Sequence, residues 1–162
     1  MTIAEWSEFF VAAAGASAAL AGLIIVAMSV SVDQMIAIPS MTSRAAAAIA
    51  VLIVATVGSL AGLMPGQGLV ALGVEVLVLG LGALGFTVYS AVRVMRARGG
   101  ATLAQALLKS LLGVLPAAAF TVAAVLLMLG SAGGLRWLAA GIVFAIVVSV
   151  VNAWVVLVEI RR

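Results

Sequence analysis

The sequence contains no cysteine and no histidine. Their absence excludes disulfide bonds, thiolate chemistry and the ligands of ordinary zinc and haem sites. A serine nucleophile would lack the imidazole that activates it, and the single aspartate, Asp33, excludes a membrane protease built on two aspartates. We therefore predict no catalytic residue, no cofactor and no metal site, and we expect that the protein is not an enzyme.

Charged residues are also scarce. They make up 8% of the 162 residues, against about 25% in soluble proteins, whereas 67% of the residues are hydrophobic. The mean hydropathy is +1.42. A chain of this composition is soluble in a lipid bilayer and not in water, so we predict an integral membrane protein.

Five apolar runs are each long enough, as helices, to cross a hydrocarbon core of roughly 30 Å. They predict an all-α, polytopic bundle that forms one membrane domain over residues 1–162. Capping and turn residues place the helices at about residues 3–32, 44–64, 69–92, 103–130 and 136–159. We expect the third to be the central helix, because small residues lie on two opposite faces of it.

Local motifs delimit these helices. Thr2 and Glu5 form a capping-box pattern that predicts a helix start at Ile3. Trp6, Phe9 and Phe10 are expected at the level of the lipid headgroups. Pro39 interrupts the first connection, and residues 65–68 predict a tight turn between the second and third helices. Pro116 is expected to kink the fourth helix.

The basic residues predict the orientation of the chain. With the N-terminus outside, seven of the eight lie on the cytoplasmic side, with Arg136 alone outside. We therefore predict a multi-pass protein of the plasma membrane with a cytoplasmic C-terminus. The basic loop with Arg93, Arg96 and Arg98 is expected to contact lipid headgroups, and nucleic acid is not an expected partner.

Glycines recur at helical spacings. The expected helix-packing residues are Gly15, Gly22, Gly58, Gly62, Gly73, Gly80 and Gly82. The GxGxxG pattern at residues 80–85 lies within an apolar run, so we interpret it as packing and not as a dinucleotide motif. Because these small-residue surfaces exceed what one small bundle needs, we expect a closed cyclic homo-oligomer.

Glu75 is the single acid set well inside an apolar run, roughly 9 Å below the outer turn at about 1.5 Å per residue. An acid at this depth is a functional hypothesis by default. The alternative is a structural acid, either neutral or paired with Arg136. Four hydroxyl residues of three other helices are expected at the same depth, where they would form a polar layer with Glu75: Ser17, Thr56, Ser59 and Thr121.

A series of short motifs runs along the first three helices: Trp6, Phe9-Phe10, Gly15-Ala16, residues 18–23, Ser29, Arg44-Ala45 and Pro65-Gly66-Gln67. This pattern resembles that of a group of small uncharacterised bacterial polytopic membrane proteins. The resemblance implies a protein of the bacterial inner membrane. It implies no activity, and it transfers no functional residue to this chain.

Three functions from different classes are compatible with the sequence. The first is an oligomeric ion or small-solute conduit, in which Glu75 and the polar layer supply ligands. The second is a non-transporting accessory or scaffold subunit that binds another membrane protein through its small-residue faces. The third is a lipid-binding protein that uses the basic loop.

Overall fold

The structure, a computed structural model, describes residues 2–30, 39–96 and 103–160, which contain helices and no strand. A short 3-10 helix, Ile3–Trp6, precedes the first α-helix. The five α-helices of this part of the chain are α1 (Ser7–Val30), α2 (Pro39–Gly62), α3 (Leu69–Arg96), α4 (Leu103–Met128) and α5 (Gly133–Ile160). The all-α class is therefore as predicted from the apolar runs.

The N-terminal turn contains the capping box of Thr2 and Glu5 that the sequence predicts. The backbone N–H of Thr2 donates to Oε1 of Glu5 at 3.1 Å, and the Thr2 hydroxyl donates to the same oxygen at 3.1 Å. The first turn is a 3-10 helix and not an α-helix, as helix ends often are.

Three helices are longer than predicted, and one of them is α5, which spans Gly133–Ile160 where residues 136–159 were predicted. α2 begins at Pro39, where the sequence suggested a break. Proline fits the first turn of a helix, because the N–H that it lacks would have no partner there. α3 continues to Arg96, so Arg93 and Arg96 belong to the helix and not to a loop. Arginine is a good helix former, and positive charge is favourable near a helix C-terminus.

Helices α2, α3, α4 and α5 form a ring in which each packs against the next and α5 returns to α2. α1 lies outside this ring, packed mainly on α2 and touching α5 over a shorter length. The expectation that the third helix is central is wrong, because α3 packs extensively on α2 and α4, whereas α2 packs extensively on α1, α3 and α5.

Two short turns lie at the same end of the bundle as the N-terminus. The first joins α2 to α3 with Gly66 at φ +74°, and the second joins α4 to α5 with Gly130 at φ +73°. Gly130 ends α4 in a Schellman motif: its N–H donates to the Leu127 carbonyl at 2.9 Å, and that of Ser131 donates to the Leu126 carbonyl at 2.9 Å. Each turn makes its two helices an antiparallel hairpin.

Large apolar side chains fill the inside of the ring. Those fully buried include Leu72, Phe120, Leu127, Leu138 and Ile142. Large apolar side chains also cover the outside: Leu23 is 66% exposed, Val78 65% and Val147 54%. A water-soluble bundle would place polar residues on that surface, so the apolar exterior indicates a bilayer environment.

Three of the described helices are long and apolar enough to cross a membrane: Ile3–Val30, Ala45–Gly62 and Gly133–Val155. Two further apolar helical stretches, Leu69–Gly85 and Leu115–Met128, are shorter. The predicted count of five spans and the orientation of the chain remain predictions.

Candidate functional site

Glu75 lies in the second turn of α3 with its side chain half-buried. Its neighbours on the inner face of α3, Leu72 and Val76, are 0% and 1% exposed. The amide Nε2 of Gln67, in the turn before α3, donates to Oε2 of Glu75 at 2.7 Å. The carboxylate is therefore held at the edge of the apolar core by a hydrogen bond from the turn.

Gln67 is a residue of the candidate site that the sequence analysis missed. It lies in the Pro65–Gly68 turn, and the analysis interpreted that segment only as a connection. The available signal was an amide side chain beside the helix that contains the intramembrane acid. An amide can donate to a carboxylate without carrying a charge into the bilayer.

Arg136, the predicted partner of Glu75, lies in the first turn of α5 and is exposed. The bond from Gln67 gives Glu75 a neutral partner. An ion pair between Glu75 and Arg136 stays a prediction.

The structure brings two of the predicted hydroxyl residues together. Ser17 Oγ of α1 and Thr56 Oγ1 of α2 are 2.8 Å apart. Each is also within hydrogen-bond distance of a carbonyl of its own helix, Ser17 of Ala13 at 2.7 Å and Thr56 of Leu52 at 2.9 Å. Because each hydroxyl has one proton, one of the two donates across the interface and the other donates within its own helix.

The other two predicted hydroxyl residues face different surroundings. Ser59 is fully buried and donates to the Ala55 carbonyl at 2.8 Å, within α2. Thr121 is exposed on α4 and donates to the Ala117 carbonyl at 2.8 Å. Thr121 thus faces away from the interior that contains Ser59.

A second interhelical hydrogen bond closes the ring. Ser149, fully buried on α5, donates through Oγ to the Ala48 carbonyl of α2 at 3.1 Å. The sequence analysis did not select Ser149 as a site residue. Its position among alanines and glycines of α5 was the signal, since a small hydroxyl residue fits where two backbones approach closely.

Glycines on both sides of α4 let its neighbours approach closely. A Cβ at Gly73 of α3 would lie 2.8 Å from the Met128 backbone nitrogen, and one at Gly134 of α5 would lie 2.9 Å from that of Leu127. Seven residues further along each helix, Gly80 and Gly141 pack on Phe120, where the Cβ distances would be 3.4 and 3.2 Å. α4 therefore packs closely on both α3 and α5, and in each of these helices the contact uses two glycines seven residues apart.

The other predicted packing glycines fall into two groups. At Gly62 a Cβ would lie 2.7 Å from the ring of Phe10, so this glycine accommodates a fully buried phenylalanine of α1. Phe10 therefore packs inward, and its expected position at the level of the headgroups stays a prediction. Four glycines have no atom within 4 Å of an added Cβ: buried Gly58, and Gly15, Gly22 and Gly82, which face outward.

The predicted headgroup residues lie at the end of α3. Arg93 and Arg96 are part of that helix, but their side chains are outside the part of the chain that the structure describes, and Arg98 is outside the described residues.

The ring, the external helix and the apolar outer surface together indicate a helical membrane protein. Comparison with family models, with curated proteins and with solved structures finds no match. A function can therefore be proposed only from the contacts within the chain itself.

Proposed function

We propose that this protein is a non-transporting accessory subunit of a membrane complex, and that α1 is the helix that binds the partner. α1 packs on the outside of the α2–α5 ring, so a large part of its circumference faces the bilayer. A helix in this position is available to a second protein without any change in the ring.

The observation that supports this proposal best is the small-residue face of α1. Ala12, Gly15, Ala19 and Gly22 follow one another at intervals of three and four residues, and all are exposed. Among the residues that the structure describes, no atom lies within 4 Å of a Cβ added at either glycine. Transmembrane helices associate through such faces, because small side chains allow the backbones to approach closely.

The packed interior also favours this function over a path through one protomer. Fully buried Leu72, Phe120, Leu138 and Ile142 fill the ring. A hydrated solute on the ring axis would have to displace these side chains and open a cavity. Such cavities cost about 2–5 kcal/mol for each large side chain lost.

Replacement of Ala19 by leucine tests the proposal. The added bulk would separate α1 from a partner helix without touching the ring, so we expect Ala19→Leu to lose its partner. The protein would be extracted from its own membranes in native-lipid discs, and the stoichiometry of its complex measured by mass. A second copy of the chain is a possible partner in the same measurement.

Ala118→Leu is the matched control, because Ala118 is an exposed alanine on α4, away from α1. It should retain the partner. Loss of the partner in both variants, or a wild-type protein that is a solitary monomer in these discs, would contradict the proposal.

The conduit is the second candidate, and the Glu75–Gln67 bond is the observation that favours it. Glu75 is half-buried and not enclosed, so it could face a passage between protomers of a homo-oligomer. Intramembrane acids commonly mark ion pathways. In this case Glu75→Gln should preserve assembly, because the amide is neutral and nearly isosteric, and it should abolish ion flux in liposomes.

Gln67→Glu provides the opposite variant, since it places two carboxyl groups where the structure has an amide–carboxylate bond of 2.7 Å. A conduit at this site would change its ion selectivity in this variant. Equal flux for wild type, Glu75→Gln and empty liposomes would exclude the conduit and leave the accessory function.

A further inference from the structure

A groove of about 270 Å³ opens between the second halves of α1 and α5. Its lining is apolar and consists of Leu20, Leu23, Ile24, Ala27, Met28, Val150, Ala153 and Trp154. Leu23 and Trp154 at its rim are 66% and 70% exposed, so the groove opens toward the surroundings of the bundle. We refer to it as the α1–α5 groove.

The groove exists because α1 and α5 touch over a short length only, whereas both pack extensively on α2. Its floor is closed by α2: Ile24 packs in one apolar cluster with Leu52, which is 0% exposed. The groove is therefore a blind, apolar cleft in the side of the bundle and not a passage into it.

A cleft of this kind is filled when the bundle is in a bilayer. If the cleft were empty, the side chains that line it would lose favourable dispersion contacts. In a bilayer, the molecules available to fill it are the hydrocarbon chains of lipids. The lining residues, which include a flexible methionine, suit a flexible occupant.

The charges at the two ends of the bundle indicate which lipid this is. In the described helices, the end at which the groove lies carries four basic residues, Arg44, Arg93, Arg96 and Lys109, and one acid, Glu159, whereas the other end carries one basic and three acidic residues. Arg44 is in the second turn of α2, the helix that packs on both α1 and α5. Clusters of basic residues beside membrane helices attract anionic lipid headgroups.

We propose that the α1–α5 groove is a binding site for one acyl chain of an anionic phospholipid, whose headgroup is held by the basic end of the bundle. This site is separate from the small-residue face of α1, so the proposal can be tested independently of the proposed accessory function.

Trp154 reports directly on the groove, because it forms part of its rim. The experiment uses the full chain with Trp154 as its single tryptophan (Trp6→Phe and Trp137→Phe), in phosphatidylcholine vesicles with a minor fraction of phosphatidylglycerol. Brominated chains, which quench tryptophan, are placed on one lipid or on the other. We expect about fivefold preferential quenching by phosphatidylglycerol, which corresponds to roughly 1 kcal/mol, the contribution of one basic residue near an anionic surface.

A chain with Trp137 as its single tryptophan is the first control. Trp137 is 47% exposed at the beginning of α5, the opposite end from the groove. Because Arg136 precedes it, this control also carries Arg136→Gln, and Trp137 should then be quenched equally by the two lipids. Ala27→Phe would fill the groove from α1 and should remove the preference at Trp154. Ala118→Phe, on the outer surface of α4, should leave it unchanged.

Equal quenching of Trp154 by the two lipids would overturn the proposal, as would Ala27→Phe and Ala118→Phe variants that behave alike. A preference that disappears as the protein density in the vesicles is raised would assign the groove to a second copy of the chain. Thermal unfolding of each variant, measured beside the quenching, excludes misfolded protein from the comparison.

Discussion

Gly73 is a residue at which the close approach of two helices is sensitive to one added methyl group. A Cβ there would lie 2.8 Å from the Met128 nitrogen and 3.0 Å from the Ala124 carbonyl oxygen, both backbone atoms of α4. Backbone atoms cannot move aside as a flexible side chain can. The two helices would have to separate, and overpacking of this kind costs about 1–3 kcal/mol.

Three alanine substitutions on α3 therefore form a graded series. Gly73→Ala should destabilise the protein by about 1–3 kcal/mol. Gly80→Ala, with Phe120 Cβ at 3.4 Å, should have a small effect, because 3.4 Å is an ordinary contact distance. Gly82→Ala, with open space around the Cβ, should be neutral or stabilising by up to about 1 kcal/mol.

The measurement for this series is reversible unfolding in mixed micelles of a mild detergent and dodecyl sulfate, followed by tryptophan fluorescence. The prediction is tested by the order of the three stabilities, in which Gly73→Ala should be the least stable and Gly82→Ala the most stable. A Gly73→Ala protein as stable as Gly82→Ala would contradict the close approach of α3 and α4.

At the scale of the elements, the attachment of α1 to the bundle includes two contacts about two turns apart. Phe10 lies against Gly62, and Ser17 Oγ lies 2.8 Å from Thr56 Oγ1. The order of these pairs makes α1 and α2 antiparallel. One contact is apolar and the other is a hydrogen bond, so their contributions can be measured separately.

A double-mutant cycle with Ser17→Ala and Thr56→Val measures the hydrogen bond. Both hydroxyls have a carbonyl of their own helix within reach, so each single variant leaves the remaining hydroxyl with a partner. We expect a coupling of about 0.6 kcal/mol, the average for such bonds in membrane proteins. Ser59→Ala with Thr121→Val is the control pair, and these two effects should add. A Ser17–Thr56 coupling of zero within error would contradict the interhelical bond.

The sequence predicted the helices well, because the length of an apolar run and the turn residues beside it are local properties. Pro65–Gly68 and the glycine at residue 130 lie at the turns that the structure contains. The predicted start of α2, at residue 44, was wrong, because a proline can either precede a helix or occupy the first turn of that helix.

Which helices pack together, and in which direction each side chain points, could not be predicted from these local properties. Gly15 and Gly73 were both predicted as helix-packing residues, yet Gly73 packs on α4 and Gly15 faces outward. Likewise, the depth of Thr121 follows from counting residues, whereas its outward direction depends on where α3 and α5 lie around α4. Gln67 was missed because a turn residue becomes part of a site only when the turn folds back on the helix.

At the scale of the whole molecule, the arrangement of the helix ends sharpens the test of orientation. The N-terminus and the turns at residues 63–68 and 129–132 share one end of the bundle, so we expect them on the same side of the membrane. The distribution of the basic residues predicts that this side is outside.

Single cysteines test this orientation without any background, since the chain has no native cysteine. On intact cells an impermeant maleimide should label Thr2→Cys and Ser131→Cys, and it should label Gly99→Cys only after permeabilisation. The reverse pattern would invert the orientation. Opposite results for Thr2→Cys and Ser131→Cys would contradict the arrangement of the helices.

The bond from Ser149 to the Ala48 carbonyl also has a consequence for synthesis. It joins residues 101 positions apart, and the ring closes through α5, the last of its four helices to be synthesised. Until α5 has been inserted beside α2, that side of α2 has no partner in the ring. A chain cut before α5 is therefore an open bundle in which this face of α2 is uncovered.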